Sequence, residues 1–401
     1  MSYILKSTAR LIQKTAFILL TWTGMESVVA QAADSIRNAD IIFSAALEHG
    51  KILPTNFYLS ELETPKQYTG YHISARYQTD GSREWEQVFG NPSFGLGVFA
   101  ADLHADRDIA RPLAVYGTFN TTARSWEKLK WDYWVSFGIA IGGNPYHMEM
   151  NPNPTLGTKT NMYIGVGSAL KYKLADKFDL GLGLSFNHLS NGAMKTPNKG
   201  LNVLAPQLSL TYHPEGFAPV HKISSRNLPF EKADKIELSA FYGRKNVFYR
   251  GVNREFLADP YDGFNFTITG MEGLYMRKIS YKSSAGLGVG ITYDDSYNYD
   301  LFVDGSVVSK RKRFENTHLL LSVLPSYRLS INNLHVNVQA GYYPFKKTRQ
   351  YDEFRFFQRV GIQYEFNNRM FASFGINAFD FHRANYLEWK LGYVISKKIR
   401  D

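Results

Sequence analysis

A histidine, a serine and several asparagines stand close together in one short stretch of this 401-residue chain. In "FNHLSNGAMKTPNKGLN", residues 186–202, His188 precedes Ser190 by two positions and Asn202 ends the stretch. A serine becomes a nucleophile when an imidazole accepts its proton and a third polar group orients the imidazole, and asparagine can be that third group. These residue types predict acyl transfer, with Ser190 as nucleophile, His188 as general base and Asn202 as the orienting group.

The same stretch contains groups able to stabilise the negative charge of a tetrahedral intermediate. The backbone N–H of Gly192 and the side chains of Asn191 and Asn198 are the candidates for this oxyanion site. Glycine and proline within residues 191–200 can shape a pocket beside the serine. Cysteine is absent from the chain, which excludes thiolate chemistry and a disulfide framework. No cofactor and no metal ion are predicted.

Long alternating runs dominate the rest of the sequence. From about residue 41, apolar or aromatic residues alternate with small or polar ones over ten to fourteen residues, and turns separate the runs. This period of two predicts β-strands. Strands of this length with aromatic ends are typical of an outer-membrane barrel, whereas soluble sandwiches favour strands of about five or six residues. The predicted fold is all-β, a transmembrane antiparallel β-barrel, because backbone polar groups in lipid must all be paired.

The strand count bears on how the barrel closes. About eight strands precede residue 214 and about eight follow it, and residues 214–234 form the longest break in the alternation. A second barrel would leave two seams to close, so we expect one barrel of about 12 to 16 strands. In this interpretation residues 33–213 are the portion with the motif hairpin, and residues 214–401 add further strands of unknown role.

The N-terminus has the form of a secretory signal. Three basic residues lie within the first 14, the apolar run "AFILLTW" follows at 16–22, and Ala30-Gln31-Ala32 has the small-x-small form of a cleavage site. The run is too short to be a membrane anchor, so a cleaved signal peptide is predicted over residues 1–32. The formal charge of +10 suits an anionic surface. An exported chain meets lipid head groups, so no nucleic-acid partner is expected.

Face parity predicts where the three polar residues point. In the run at 178–190 the even positions are mostly apolar and include His188 and Ser190, and in the returning run at 201–212 the apolar set includes Asn202. Alternate side chains of a strand share a face, and the apolar face of a membrane barrel meets lipid. Unpaired polar groups there cost about 2 to 7 kcal/mol each. We therefore expect the three side chains to pair with one another at the lipid surface.

Turn length predicts the side of the membrane on which the motif lies. The short turn at 175–177 precedes the motif strand, and short turns of such barrels face the periplasm. The loop at 191–200 is therefore expected at the outer leaflet. Pro206 interrupts the returning strand, where proline can force a bulge.

The segment "HLSNGAMKTPNKG" resembles the active site of PagL-type lipid A 3-O-deacylases, outer-membrane barrel esterases that remove an acyl chain from lipid A. Both the H-x-S-N start and the following K-x-P-N-x-G match. The resemblance implies that His188 and Ser190 are base and nucleophile, and that Asn191 and Asn198 assist at the oxyanion. It also implies lipid A or lipopolysaccharide as substrate and the outer membrane of a Gram-negative bacterium as location.

One residue departs from that family. Its third catalytic residue is a glutamate twelve positions after the serine, where this chain has Asn202. Outer membrane phospholipase A is similar in its H-x-S-N-G start and has an asparagine at that distance. The phospholipase follows its glycine with an arginine of a calcium-linked site, and Ala193 stands there in this chain, which argues against calcium dependence. The resemblance covers roughly residues 41–213.

Three interpretations follow from these residues. The leading one is an outer-membrane serine esterase acting on lipid A. The first alternative is a phospholipid hydrolase like outer membrane phospholipase A. The second is a non-enzymatic barrel, either a pore or a structural protein, whose site has decayed. Outer-membrane lipid is an expected partner in each, and a homodimer is compatible with the pattern.

Overall fold

Two closed antiparallel barrels, each of eight strands, make up the protein. The computed structural model describes residues 40–61, 67–104, 110–217, 230, 232–251, 257–312, 319–346, 354–381 and 383–398. The signal peptide predicted over residues 1–32 lies outside these ranges. No helix within them is long and apolar enough to cross a membrane.

The first barrel contains β1 to β8 in sequence order, with β8 paired back to β1. Two short helices, α1 and α2, lie in its connections. The bounds are β1 Asp40–Leu53, α1 Phe57–Glu61, β2 Gln67–Gln78, α2 Glu84–Val88, β3 Ser93–Asp102, β4 Ala110–Ser125, β5 Leu129–Gly143, β6 Asn161–Ala175, β7 Phe178–Ser190 and β8 Leu201–Tyr212.

The second barrel begins with β9 and closes where β18 pairs with β9. A two-stranded hairpin, β12 with β13, stands apart from the barrel wall and follows a short 3-10 helix at Asp295–Asn298. The bounds are β9 Ala233–Phe248, β10 Gly263–Lys278, β11 Ser283–Asp294, β12 Tyr299–Asp304, β13 Val307–Lys312, β14 Leu319–Ile331, β15 Leu334–Tyr342, β16 Phe356–Glu365, β17 Met370–Phe379 and β18 Arg383–Lys398.

The expectation of one barrel of about 12 to 16 strands is wrong, although the all-β barrel fold is confirmed. The register of β1 on β8 runs from Phe43 opposite Tyr212 to Leu53 opposite Asn202, so the first sheet has no edge left to accept β9. The chain must therefore start a new sheet after the break, and β9 pairs with β10 and β18 instead. Each closure satisfies its own strand edges, which makes two seams no costlier than one.

Side chains alternate across the barrel walls. Along β7 the even positions up to Leu184 are exposed while Asp179, Gly181 and Ser185 are buried, and β8 alternates in the same way. The register of β7 on β8 is unbroken from Leu189 to Phe178, so the bulge considered at Pro206 does not occur. Parity therefore holds along the whole motif hairpin.

The two ends of the first barrel differ in their connections. At one end β4 joins β5 through residues 126–128, and β6 joins β7 through residues 176–177. That end also has a longer connection at residues 79–92, whereas the other end has connections at 54–66, 103–109, 144–160 and 191–200, none of them as short as three residues. The motif hairpin has its loop at this second end, as the turn lengths predict for the extracellular side.

The two barrels lie side by side and touch at several levels. At the end with the long loops, Tyr146 Oη donates a hydrogen bond of 3.2 Å to Asp259 Oδ1. Lower down, Phe137 on β5 and Phe374 on β17 have ring centroids 5.9 Å apart. The outward side chain of Phe374 on β17 thus meets the first barrel rather than lipid.

The lumen of the second barrel is filled by charged side chains of both signs. Lys390 Nζ lies 2.6 Å from Glu272 Oε2 and 3.4 Å from Glu388 Oε1. Arg359 bonds to Glu272 and also lies 3.3 Å from Glu388. Eight strands leave an interior just wide enough for side chains, and the remaining cavity of about 30 Å³ holds no more than a few water molecules.

Glu48 organises the lumen of the first barrel. Its side chain is fully buried and accepts hydrogen bonds from Tyr68 Oη at 2.9 Å, His72 Nε2 at 2.9 Å and Gln207 Nε2 at 2.8 Å. Ser185 Oγ and Asn187 Nδ2, both on β7, donate to the same carboxylate. Four strands, β1, β2, β7 and β8, are therefore tied together through one buried acceptor.

Replacing Glu48 with alanine should destabilise the first barrel, because five buried donors would lose their acceptor. We expect a loss of about 3 to 5 kcal/mol, seen as a lower midpoint of thermal unfolding in detergent. Glu127→Ala, in the exposed turn between β4 and β5, is the control and should change stability by less than about 0.5 kcal/mol. Equal midpoints for the two variants would contradict this role of Glu48.

Candidate functional site

The three residues singled out by type and spacing meet at one end of the β7–β8 hairpin. His188 on β7 lies directly opposite Asn202 on β8 in the strand register. His188 Nε2 is 2.8 Å from Ser190 Oγ, and His188 Nδ1 is 2.5 Å from Asn202 Oδ1. If Nδ1–H donates to the asparagine, Nε2 is left as an acceptor for the serine hydroxyl proton. The geometry suits a nucleophile, its base and an orienting group.

The opposite face of β7 anchors the strand that carries this site. Ser185 and Asn187 point into the lumen and donate to Glu48, while Tyr163 Oη donates a 2.6 Å bond to Asn187 Oδ1. Because consecutive side chains point to opposite faces, these lumen contacts leave His188 and Ser190 on the outward face. The polar lumen thereby holds the backbone of a site that faces lipid.

The site is outward-facing yet largely covered. Ser190 is 6% exposed, and His188 and Asn202 are half-buried. Next to them on β6, Met162 is paired with Ser190 and Ile164 with His188. In such a water-poor setting a hydrogen bond is electrostatically stronger than in water. The apolar residues around the triad therefore strengthen its hydrogen bonds.

The motif loop, residues 191–200, folds back on itself beside Ser190. Asn191 N–H donates to Asn198 Oδ1 at 3.1 Å, and Asn191 Nδ2 donates to the Lys195 carbonyl at 2.9 Å. Both predicted oxyanion asparagines thus hold the loop in shape. No described residue accepts a hydrogen bond from Gly192 N–H. The roles of Asn191, Gly192 and Asn198 at an oxyanion stay a prediction.

The backbone of the motif loop takes an unusual course after Ser190. Gly192 has φ +61° and Ala193 has φ +66°, so two successive residues are left-handed. An alanine in that region costs about 1 to 2 kcal/mol, and such a conformation persists only when surrounding contacts hold it. The position of Gly192 N–H therefore depends on the contacts that surround this part of the loop.

Several residues that support the site lie outside the motif segment, and the sequence pattern did not identify them. Gly200 N–H donates to the Thr155 carbonyl at 2.9 Å, and Thr55 Oγ1 donates to the Gly200 carbonyl at 2.7 Å. From the second barrel, Asn246 and Leu387 also reach the motif loop. These partners come from distant parts of the sequence, and only the strand register brings them together.

No metal-binding cluster accompanies the triad. Within the described ranges, no three His, Cys, Asp or Glu side chains converge as ligands for an ion. At the position where the phospholipase has arginine, Ala193 contributes only its backbone. The expectation of a metal-free, cofactor-free reaction stays a prediction.

Gly200→Ala should misplace the imidazole. Gly200 has φ +78°, and an added Cβ would lie 2.8 Å from His188 Cε1. We expect the rate of Ser190 labelling by a fluorophosphonate to fall about 10²-fold, because a displaced base costs that much in well-oriented sites. Gly216→Ala is the matched control, since Gly216 has φ +85° but only the Asp176 carbonyl, at 3.9 Å, near the added Cβ. Equal labelling by both variants would show that Gly200 does not constrain His188.

Comparisons with known proteins match both barrels. A family model described as lipid A 3-O-deacylase (PagL) matches residues 69–211, and one described as acyloxyacyl hydrolase, C-terminal domain, matches residues 234–397. A comparison with curated proteins finds no match.

Solved structures of several barrels are also similar. Neisserial surface protein A matches at 11% identity, covering 43% of this chain and 96% of that chain, with a TM-score of 0.31. The outer membrane enzyme PagL matches at 16% identity, covering 42% and 97%, with a TM-score of 0.29. The toluene transporter TodX of Pseudomonas putida matches at 9% identity, covering 89% and 88%, with a TM-score of 0.17.

The two family models fall on the two barrels separately, and together they match most of the chain. The H-x-S-N and K-x-P-N-x-G segments lie inside the first match. In this protein of the Gram-negative outer membrane, the first barrel thus matches the family model of the lipid A 3-O-deacylase PagL, and the second barrel matches the model of the acyloxyacyl hydrolase C-terminal domain.

Proposed function

We propose that this protein is a serine esterase that removes an ester-linked acyl chain from lipid A at the outer leaflet. The observation that carries the proposal is the hydrogen-bonded series Ser190, His188 and Asn202 on the outward face of the first barrel. A hydrolase of a membrane lipid needs its nucleophile at the lipid surface. The alternation of β7 supports this proposal, because Ser190 has the parity of the outward residues Leu182 and Leu184.

The reaction follows the geometry of the site. Ser190 Oγ attacks the ester carbonyl while His188 Nε2, 2.8 Å away, accepts its proton. Gly192 N–H donates to the oxyanion of the tetrahedral intermediate. The intermediate collapses when His188 returns the proton to the leaving sugar oxygen, which gives the acyl-enzyme and the deacylated lipid. Water then attacks with His188 again as base, and the fatty acid is released.

Asn202 orients the imidazole of His188, but its uncharged amide does not balance the positive charge of the imidazolium. Its Oδ1 accepts from His188 Nδ1–H and thereby selects the tautomer with Nε2 unprotonated. A carboxylate at this position would in addition stabilise the imidazolium formed during the reaction. The amide supports the same proton route with less electrostatic stabilisation of the charged intermediate.

The surface beside the triad suits an acyl chain. Leu182, Leu184 and Leu204 continue the outward face of the hairpin and are 65%, 60% and 42% exposed, and Val166 lies beside them on β6. These side chains form an apolar strip leading away from Ser190 along the barrel wall. An acyl chain lying on that strip places its ester near the nucleophile.

Two alternatives differ in how well they fit. Phospholipid hydrolysis uses the same chemistry, and Asn202 favours it because outer membrane phospholipase A is similar at that position. A conducting pore is disfavoured, since ion pairs such as Arg328 with Glu237, 2.7 Å apart at one contact, fill the lumen of the second barrel. In the first barrel, the carboxylate of Glu48 and its five donors occupy the lumen.

Ser190→Ala should abolish deacylation of lipid A. We expect kcat to fall by about 10⁴-fold or more, because losing the nucleophile removes the covalent route. Mass spectrometry of lipid A from a Gram-negative host expressing each variant measures the loss of one acyl chain. Ser125→Ala, exposed at the far end of β4, is the matched control and should retain activity. Unchanged deacylation by Ser190→Ala would overturn the proposal.

Substrate choice is tested separately with purified protein. We expect release of fatty acid from lipid A with and without a chelator, since the structure places no carboxylate cluster beside Ser190 within the described residues. Release from phospholipid but not from lipid A would favour the first alternative instead. Channel conductance without ester cleavage would favour the second.

Variants of Asn202 report on its orienting role. Asn202→Ala should lower kcat by about 10² to 10⁴-fold, because the imidazole loses the acceptor that selects its tautomer. Asn202→Glu should retain at least wild-type activity, since the carboxylate accepts the same hydrogen bond and stabilises the imidazolium. Steady-state rates on purified lipid A measure both, and an alanine variant as fast as wild type would exclude Asn202 from the site.

A further inference from the structure

We propose that the second barrel positions the motif loop of the first barrel through Asn246 on β9 and Leu387 on β18. This inference rests on the proposed function and deepens it, because it assigns the second barrel a role in catalysis. Asn246 and Leu387 are positioning residues in this scheme. They hold the backbone that presents Gly192 N–H, and they do not themselves contact the reacting atoms.

Asn246 bridges the middle of the motif loop. Its backbone N–H donates to the Ala193 carbonyl at 3.1 Å. Its side-chain Oδ1 accepts from Thr196 N–H at 3.3 Å and also from Thr196 Oγ1. Its Nδ2 donates to Asn265 Oδ1 at 3.1 Å, which fixes the side chain against β10. One residue of the second barrel thus bonds the loop at two points three residues apart.

Leu387 packs directly against Gly192. The side chain is 1% exposed, and a Cβ added at Gly192 would lie 2.4 Å from Leu387 Cδ2. The place of a side chain at Gly192 is therefore taken by a residue of the second barrel. Because Leu387 pairs with Arg244 in the register of β18 on β9, it lies near Asn246 on the same outward surface. The two contacts act on adjacent parts of the loop.

The first barrel holds only part of the motif loop by itself. It supports the C-terminal part, where Lys199 N–H donates to the Pro154 carbonyl at 3.1 Å and Gly200 is bonded to Thr155. The left-handed residues Gly192 and Ala193 meet the second barrel instead. The conformation that costs most is thus stabilised by the bond of 3.3 Å from Met194 N–H to the Asn191 carbonyl and by contacts from β9 and β18. Since Gly192 N–H is the candidate oxyanion donor, these contacts set where that donor points.

The inference is tested by separating turnover from binding in the full chain. We expect Asn246→Ala to lower kcat about 10- to 100-fold with KM for lipid A unchanged. The reason is that Gly192 N–H, when it is held less firmly, stabilises the oxyanion of the transition state less well. The pH midpoint of kcat should stay at its wild-type value, since the bonds of His188 to Ser190 and Asn202 are untouched. Asn246→Asp keeps the acceptor for Thr196 and should recover activity to within about threefold of wild type.

Two further variants keep the test decisive if Asn246→Ala folds poorly. Thr196→Val removes one donor from the other side of the same contact and should lower kcat in the same way, and Leu387→Ala should do so by loosening Gly192. The double variant of Asn246→Ala and Thr196→Val should lose little more than either alone, because both act through one contact. Phe374→Ala, which removes an inter-barrel contact with Phe137 away from the loop, is the matched control and should keep wild-type kcat.

The outcomes separate the two proposals. Wild-type kcat in Asn246→Ala, Thr196→Val and Leu387→Ala, with Ser190→Ala inactive, would overturn the positioning role and leave the esterase intact. A shifted pH midpoint, or an equal loss in Phe374→Ala, would show that the second barrel acts by general stabilisation and would also overturn it. Full activity in Ser190→Ala would instead remove the proposed function on which the inference rests.

Discussion

Every backbone N–H and C=O in a lipid-facing sheet must find a partner, and the structure depends on this constraint throughout. It forces each sheet to close, and it does so twice, once where β8 meets β1 and once where β18 meets β9. Closure fixes the register of all sixteen wall strands. That register places His188 opposite Asn202 and aligns the outward face on which Ser190 lies.

Closing eight strands leaves a narrow interior, and its contents stabilise the wall from within. Glu48 collects five donors in the first barrel, two of them from β7. In the second barrel, Arg359 and Lys390 share Glu272 and Glu388. Buried ions are costly unless they are paired, and the set in the second barrel balances two positive charges with two negative ones, while Glu48 is held by hydrogen bonds. Because lumen contacts stabilise the wall, the outward surface can consist of lipid-facing side chains and the candidate site.

Two barrels in one chain create a surface that neither has alone. The outer ends of β9 and β18 meet the motif loop, so residues beside the candidate nucleophile touch protein on that side rather than lipid. A loop with two left-handed residues would relax readily if it stood free at the membrane surface. Because the neighbouring barrel belongs to the same chain, its effective concentration at the loop is raised. Covalent linkage of the two barrels therefore helps to fix the conformation of the motif loop.

The sequence alone determined what depends on local pattern. The period of two required strands, the parity of His188, Ser190 and Asn202 required one outward face, and the break after residue 213 marked where the first set of strands ends. These features are local, because a strand's alternation is written in neighbouring residues. The motif spacing likewise indicated serine chemistry before any contact was known.

Only the tertiary structure decided how the sheets close and what surrounds the motif. Alternation does not encode which strand is the last neighbour of β1, so the pattern was equally compatible with one larger barrel. The hydrogen bonds that the side chains of Asn191 and Asn198 make within the loop depend on the folded conformation of residues 191–200. Asn246 and Leu387 lie far along the chain from Gly192, and their contact arises because two separately closed cylinders pack side by side. Such contacts follow from shape complementarity between surfaces, which no local pattern records.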